Sequence, residues 1–69
     1  MANKDKQKFG LLDKDNKYII TLNDRGEYTS GTIEEAAKLN IIQLEEWLTI
    51  IKSNKIVYKV IAIPIQYVV

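Results

Sequence analysis

Apolar and polar positions follow two rhythms along the chain. Phe9–Leu12 is a short apolar run, read as an edge strand, and the polar Asp13-Lys14-Asp15-Asn16 comes next. Asp and Asn fold their side chains onto nearby backbone, so these four residues predict a turn. Lys17–Leu22 then alternates with period two, Tyr18, Ile20 and Leu22 on one face and Lys17, Ile19 and Thr21 on the other, which is the pattern of a strand. Asn23-Asp24-Arg25-Gly26 predicts a hairpin loop in which Gly26 supplies the positive φ of a bulge, with Glu27–Ser30 returning as the partner strand.

From Thr32 the spacing lengthens. Ile33, Ala36, Ala37, Leu44, Trp47, Leu48 and Ile51 recur at helical intervals. Thr32 followed by Glu35 is the capping-box pattern, and Glu34 and Glu35 suit the positive end of a helix dipole. One helix over Ile33–Lys52 would leave Leu39, Ile41, Ile42 and Ile50 on its other faces, and a helix apolar all round needs partners on both sides. Two short helices, broken near Asn40 with the second over about Gln43–Ser53, let both apolar sets face one core. Ile56–Val69 is apolar on both faces, Val57, Ile61, Ile63 and Ile65 against Ile56, Tyr58, Val60 and Ala62. It reads as a long strand, interrupted or at a sheet edge where Pro64 lacks a donor. The fold class expected is α+β: an N-terminal antiparallel hairpin or meander, two short helices or one broken helix, and a long C-terminal strand. Residues 1–8 are expected to form a flexible arm and 9–69 a single domain, with no internal repeat apparent.

Thr32-Ile33-Glu34-Glu35-Ala36-Ala37-Lys38-Leu39 resembles the opening of the helix-turn-helix in excisionase-like and MerR-like winged-helix proteins. Ile42, Trp47, Ile51 and Lys52-Ser53-Asn54-Lys55-Ile56 fall at that family's spacing, so the resemblance covers 25 of the 69 residues. Ile41 stands where the family has a turn glycine, and Asn54, acceptable at positive φ, where it has the glycine before the wing. Leu44 and Thr49 match the basic residues that the family aims at DNA. The resemblance implies a recognition helix over Gln43–Ser53 and a wing after Ile56. Gln43 and Thr49 would then touch base edges, and Lys52, Lys55 and Lys59 phosphates.

Composition narrows the chemistry. The chain has no Cys and no His, so it lacks a disulfide framework, thiolate ligands and the commonest general base. Net charge is +1, and Arg25 is the one arginine among ten basic residues. Neither figure gives the bulk attraction or the bidentate readers typical of nucleic-acid binding. Asp13, Asp15, Asn16 and Asp24 suggest calcium, but an EF-hand loop counted from Asp13 would need Gly and Glu where Tyr18 and Asp24 stand. Glu34/Glu35 and Glu45/Glu46 are neighbours that diverge by about 100° on a helix. Ser30 and Ser53 have no histidine to activate them, and Gly10, Gly26 and Gly31 are too scattered for a phosphate loop. No cofactor or metal is expected, and no enzyme. The N-terminus lacks an apolar signal core, and Ile56–Val69 is too short to span a membrane, so a cytoplasmic protein is expected.

The function expected is a small protein-binding module, of the inhibitor or adaptor type that phages encode. It would dock on a basic site of a host protein, such as a nucleic-acid-binding enzyme, through Leu44, Glu45, Glu46, Trp47 and Tyr67. The apolar C-terminal strand exposes more surface than so small a body hides, which points to a homodimer or a partner on that strand. The alternative is the winged-helix DNA-binding accessory factor implied by the resemblance.

Overall fold

Two turns of one design shape the N-terminal half. Asp13 Oδ1 accepts the backbone N–H of Asp15 at 2.8 Å and of Lys17 at 3.0 Å. Ten positions later, Asn23 Oδ1 accepts the N–H of Arg25 and of Glu27, both at 3.0 Å. Each turn closes with the same two backbone bonds, Asp13 N–H to Lys17 and Asn16 N–H to Asp13 in the first, Asn23 N–H to Glu27 and Gly26 N–H to Asn23 in the second. Each puts its fourth residue at positive φ, Asn16 at 62° and Gly26 at 84°. Asn tolerates that region and Gly favours it. Leu precedes and Tyr follows both turns (Leu12 and Tyr18, Leu22 and Tyr28). A seven-residue turn, Leu12–Tyr18, therefore recurs ten positions on as Leu22–Tyr28, with changed polar residues.

In the computed structural model, which describes residues 7–67, these turns join β1 (Lys8–Leu12), β2 (Tyr18–Leu22) and β3 (Tyr28–Gly31). The chain continues through α1 (Ile41–Ser53), β4 (Lys59–Ile63) and a single 3-10 turn at Ile65–Tyr67. The four strands form one antiparallel sheet in the order β3-β2-β1-β4. This is the expected α+β architecture. β1 lies inside the sheet and not at its edge, because β4 pairs with it from Lys8↔Ile63 to Leu12↔Lys59. The proposed arm shortens at its end, since Lys8 is already in β1; residues 1–6 lie outside the described residues, as do Val68 and Val69.

β1 and β2 meet only at Leu12↔Tyr18 and then part. The segment after β3 fills the gap. Phe9 exchanges both backbone bonds with Leu39, at 2.8 and 2.9 Å, and the Ala37 N–H donates to the Ile19 carbonyl at 3.1 Å. Residues 37–39 thus wedge between two strands and satisfy backbone groups that would otherwise lack partners.

This wedge explains why no first helix forms. Ile33–Ala36 is a succession of turns, with Glu35 N–H bonded to Thr32 and Ala36 N–H to Ile33. Glu35 Oε1 does accept the Thr32 N–H at 3.0 Å and its hydroxyl at 3.2 Å, so half of the expected box exists without a helix behind it. The working box lies eight residues on. Asn40, expected to end a helix, starts one: its Oδ1 accepts the Gln43 N–H at 2.8 Å, and Gln43 Oε1 accepts the Asn40 N–H at 2.9 Å. At the far end Asn54 keeps negative φ, −100°, and Nδ2 donates to the Ile50 carbonyl at 2.8 Å. The positive φ falls on Lys55 instead, at 56°.

Leu11, Ile19, Leu39, Leu44 and Ile51 form the core, with Phe9, Leu22, Tyr28, Trp47, Leu48 and Ile56 packed around it. A bulge at Ile20, between Ile19↔Ser30 and Thr21↔Thr29, breaks the expected alternation of β2. The extra residue turns Leu22 to the same side as Ile19, so both serve one core. Gly26 is confined twice over: beyond its φ, a Cβ there would lie 2.7 Å from Asn54 Cγ. The C-terminal strand is shorter than expected. β4 stops at Ile63, and Pro64 opens the turn closed by Tyr67 N–H to Pro64 at 2.9 Å.

Candidate docking surfaces

On α1 the buried residues Leu44 and Ile51, with half-buried Trp47 and Leu48, define the face turned to the sheet. At about 100° per residue, Ile42 falls roughly opposite Leu44 and Ile51. It is 64% exposed, and Ile41 beside it is 55% exposed. Glu45, Glu46 and Thr49 continue this solvent face and are exposed. The outer face of α1 is therefore a pair of apolar side chains followed by a pair of carboxylates. Of the residues expected to bind a partner, Glu45 and Glu46 are on this face. Leu44 is not: at 6% exposure it belongs to the core. Trp47 packs against that core, and Tyr67 is half-buried in the terminal turn. The exposure of Ile41 and Ile42 depends on where the helix starts, which local spacing alone does not fix.

The second surface is the outer edge of β4. Phe9 spends its N–H and carbonyl on Leu39, away from β4. In an antiparallel ladder, pairs that exchange both bonds alternate with pairs that exchange none. Phe9↔Ala62 and Leu11↔Val60 are therefore the unbonded pairs, and Val60 and Ala62 aim their N–H and C=O groups outward. Position 64 continues the same parity, so proline there takes nothing from the ladder. Val57 is 65%, Tyr58 37%, Val60 38% and Ile65 61% exposed along this stretch. The apolar excess expected of the C-terminal segment is there, on an edge whose outward backbone groups meet no partner among the described residues.

The residues assigned to DNA, Gln43, Thr49, Lys52, Lys55 and Lys59, are all exposed. The Gln43 side chain accepts the Asn40 N–H within the cap, and the Thr49 hydroxyl donates to the Glu45 carbonyl at 3.0 Å. Asp13, considered for calcium, is instead a buried turn residue. Its carboxyl is held below the ordinary 3.8, first by the Lys17 N–H, against the opposing effect of burial, with the Asp15 N–H, the Ser30 hydroxyl and the Lys17 charge assisting. Burial, seconded by the charges of Asp13 and Asp15, pushes the Tyr28 hydroxyl above its ordinary 10.0.

A shallow depression is bounded by Thr21, Leu22, Asn23, Glu27, Tyr28 and Thr29. Thr21 and Thr29 share a hydrogen bond at 2.8 Å, and Asn23 Nδ2 donates to Glu27 at 2.8 Å. Arg25 at the hairpin tip is exposed and 3.5 Å from Glu27, a surface pair that contributes little. Among the described residues no three ligating side chains come together as a metal site, and no helix is long and apolar enough to cross a membrane. No family model, curated protein or solved structure matches the chain.

Proposed function

We propose that this chain is a non-enzymatic protein-binding module that docks through the outer face of α1. The observation that carries this reading is the exposure of Ile41 and Ile42, at 55% and 64%, in the same helical face as Glu45 and Glu46. A helix laid into a groove is recognised by apolar anchors at helical spacing, and flanking charge selects the partner and speeds encounter. The target that fits is a protein with an apolar groove bordered by Lys or Arg. Occupying such a groove would block it sterically, which is how an inhibitor or adaptor acts.

Capture from lysate on the immobilised chain, compared with Ile42→Ser and with Glu45→Lys/Glu46→Lys, tests the reading. A specific protein that is retained by the native chain and lost at least about tenfold with each variant is expected, in line with loss of an interface anchor. Capture that neither variant alters, or no captured protein at all, would refute it. The DNA-binding alternative rests on exposed Lys52, Lys55 and Lys59 and is decided by a gel-shift titration at low salt. Phosphate contacts must weaken as salt rises, and absence of a shifted band removes that alternative.

A further inference from the structure

We infer that the outer edge of β4 is a homodimer interface, in which two copies pair antiparallel about a two-fold axis at Ile61. This inference stands on a different element from the α1 face and does not depend on that reading. Its starting point is the set of outward N–H and C=O groups of Val60 and Ala62. Opposite a second copy turned end for end, Val60 meets Ala62 of its partner and Ala62 meets Val60. Each of those pairs exchanges two backbone bonds, so the edge supplies donors and acceptors in equal number to itself.

The side chains agree with that register. On one face Ile61, half-buried in the single chain, comes against its own copy in an unbonded pair, where side chains lie closest. Lys59 falls opposite Ile63 of the partner, so the two lysines sit at opposite ends of the ladder. Sliding the strands to put the axis at Lys59 would set like charges face to face, which is destabilising. A net charge of +1 per chain offers little opposition to association.

The geometry also explains why pairing stops at two. Pro64 has no donor to offer and ends the usable edge, and a two-fold pairing consumes the same edge on both copies. The other sheet edge described, β3, is only the four residues Tyr28–Gly31. A second copy is favoured over a foreign strand because this edge complements itself in bonds, in apolar contact and in charge placement at once. The contact is small, so the dimer is weak and concentration-dependent.

Sedimentation equilibrium of the full chain tests this. The weight-average mass is expected to rise from the monomer value toward twice that value with concentration, while the Val60 and Ala62 amides become slower to exchange with deuterium. Val60→Lys/Ala62→Lys, which places lysines opposite lysines across the axis without touching the backbone, is expected to stay monomeric with an unchanged circular dichroism spectrum. Mixing it with Val60→Glu/Ala62→Glu is expected to restore the dimer mass. A native chain that remains monomeric up to millimolar concentration overturns the inference. So does a lysine variant that associates like the native chain, or a mixture that fails to regain dimer mass. Capture through α1 is read with its own variants, so either surface is refuted without the other.

Discussion

Asp13 and Asn23 make the same turn with different side chains, and the difference decides which one responds to pH. Both use Oδ1 to hold two backbone N–H groups, but only Asp13 carries a charge that the fold stabilises. A carboxyl held below its ordinary value stabilises the fold above the unfolded-state pKa, and that contribution is lost as pH falls through the folded-state value. Urea unfolding midpoints are therefore expected to drop below about pH 3.8, with a smaller drop in Asp13→Asn, which keeps the turn as Asn23 does. Tyr28 works in the opposite direction. Its raised pKa means a contribution present below 10.0 and lost as pH rises through the higher folded-state value, and Tyr28→Phe is expected to flatten that alkaline loss. In the core, Ile51 is 0% exposed, so Ile51→Ala should cost about 2–5 kcal/mol. A domain of this size has roughly 5–15 kcal/mol in all at best, so the variant is expected to melt far below the native chain or to be unfolded in thermal denaturation.

Among the elements, α1 owes its start to two amides. Asn40→Ala removes the side-chain half of the box and should cost about 1 kcal/mol, read as a fall in melting temperature of about 4–8 °C. Thr32→Ala, at the box that the sequence displays more plainly, should leave helical circular dichroism unchanged, because Ile33–Ala36 forms turns. That contrast shows what was legible beforehand. The meander, the Gly26 loop, the helix through Gln43–Ser53 and the two-faced C-terminal segment could be read from local pattern. The fate of Thr32–Leu39 could not, because it is set by backbone groups of Phe9 and Ile19 that open only when β1 and β2 part. The same holds for the surfaces. Glu45 and Glu46 were visible as an acidic front, whereas the exposure of Ile42 followed from the helix origin. The outward direction of Val60 and Ala62 followed from where Phe9 bonds.

At the scale of the whole molecule, residues 37–39 tie the layers together, since they bond to β1 and β2 and lead directly into α1. The Phe9, Ala37 and Leu39 amides donate within this wedge, and hydrogen exchange should find them among the slowest in the chain, opening only with global unfolding. Fast exchange at all three would show that the wedge is a surface decoration. In dilute solution the Val60 and Ala62 amides should exchange much faster than these three, although they belong to the same sheet.

The parted strands also set a schedule for synthesis. A chain leaving the ribosome can fold its two turns early, but β1 has no ladder partner beyond Leu12 until Leu39 and then β4 emerge. A nascent chain stalled before Leu39 would hold its two turns and the β2–β3 ladder, with the backbone of β1 still wetted by solvent. The domain would condense only when nearly all of it had been made.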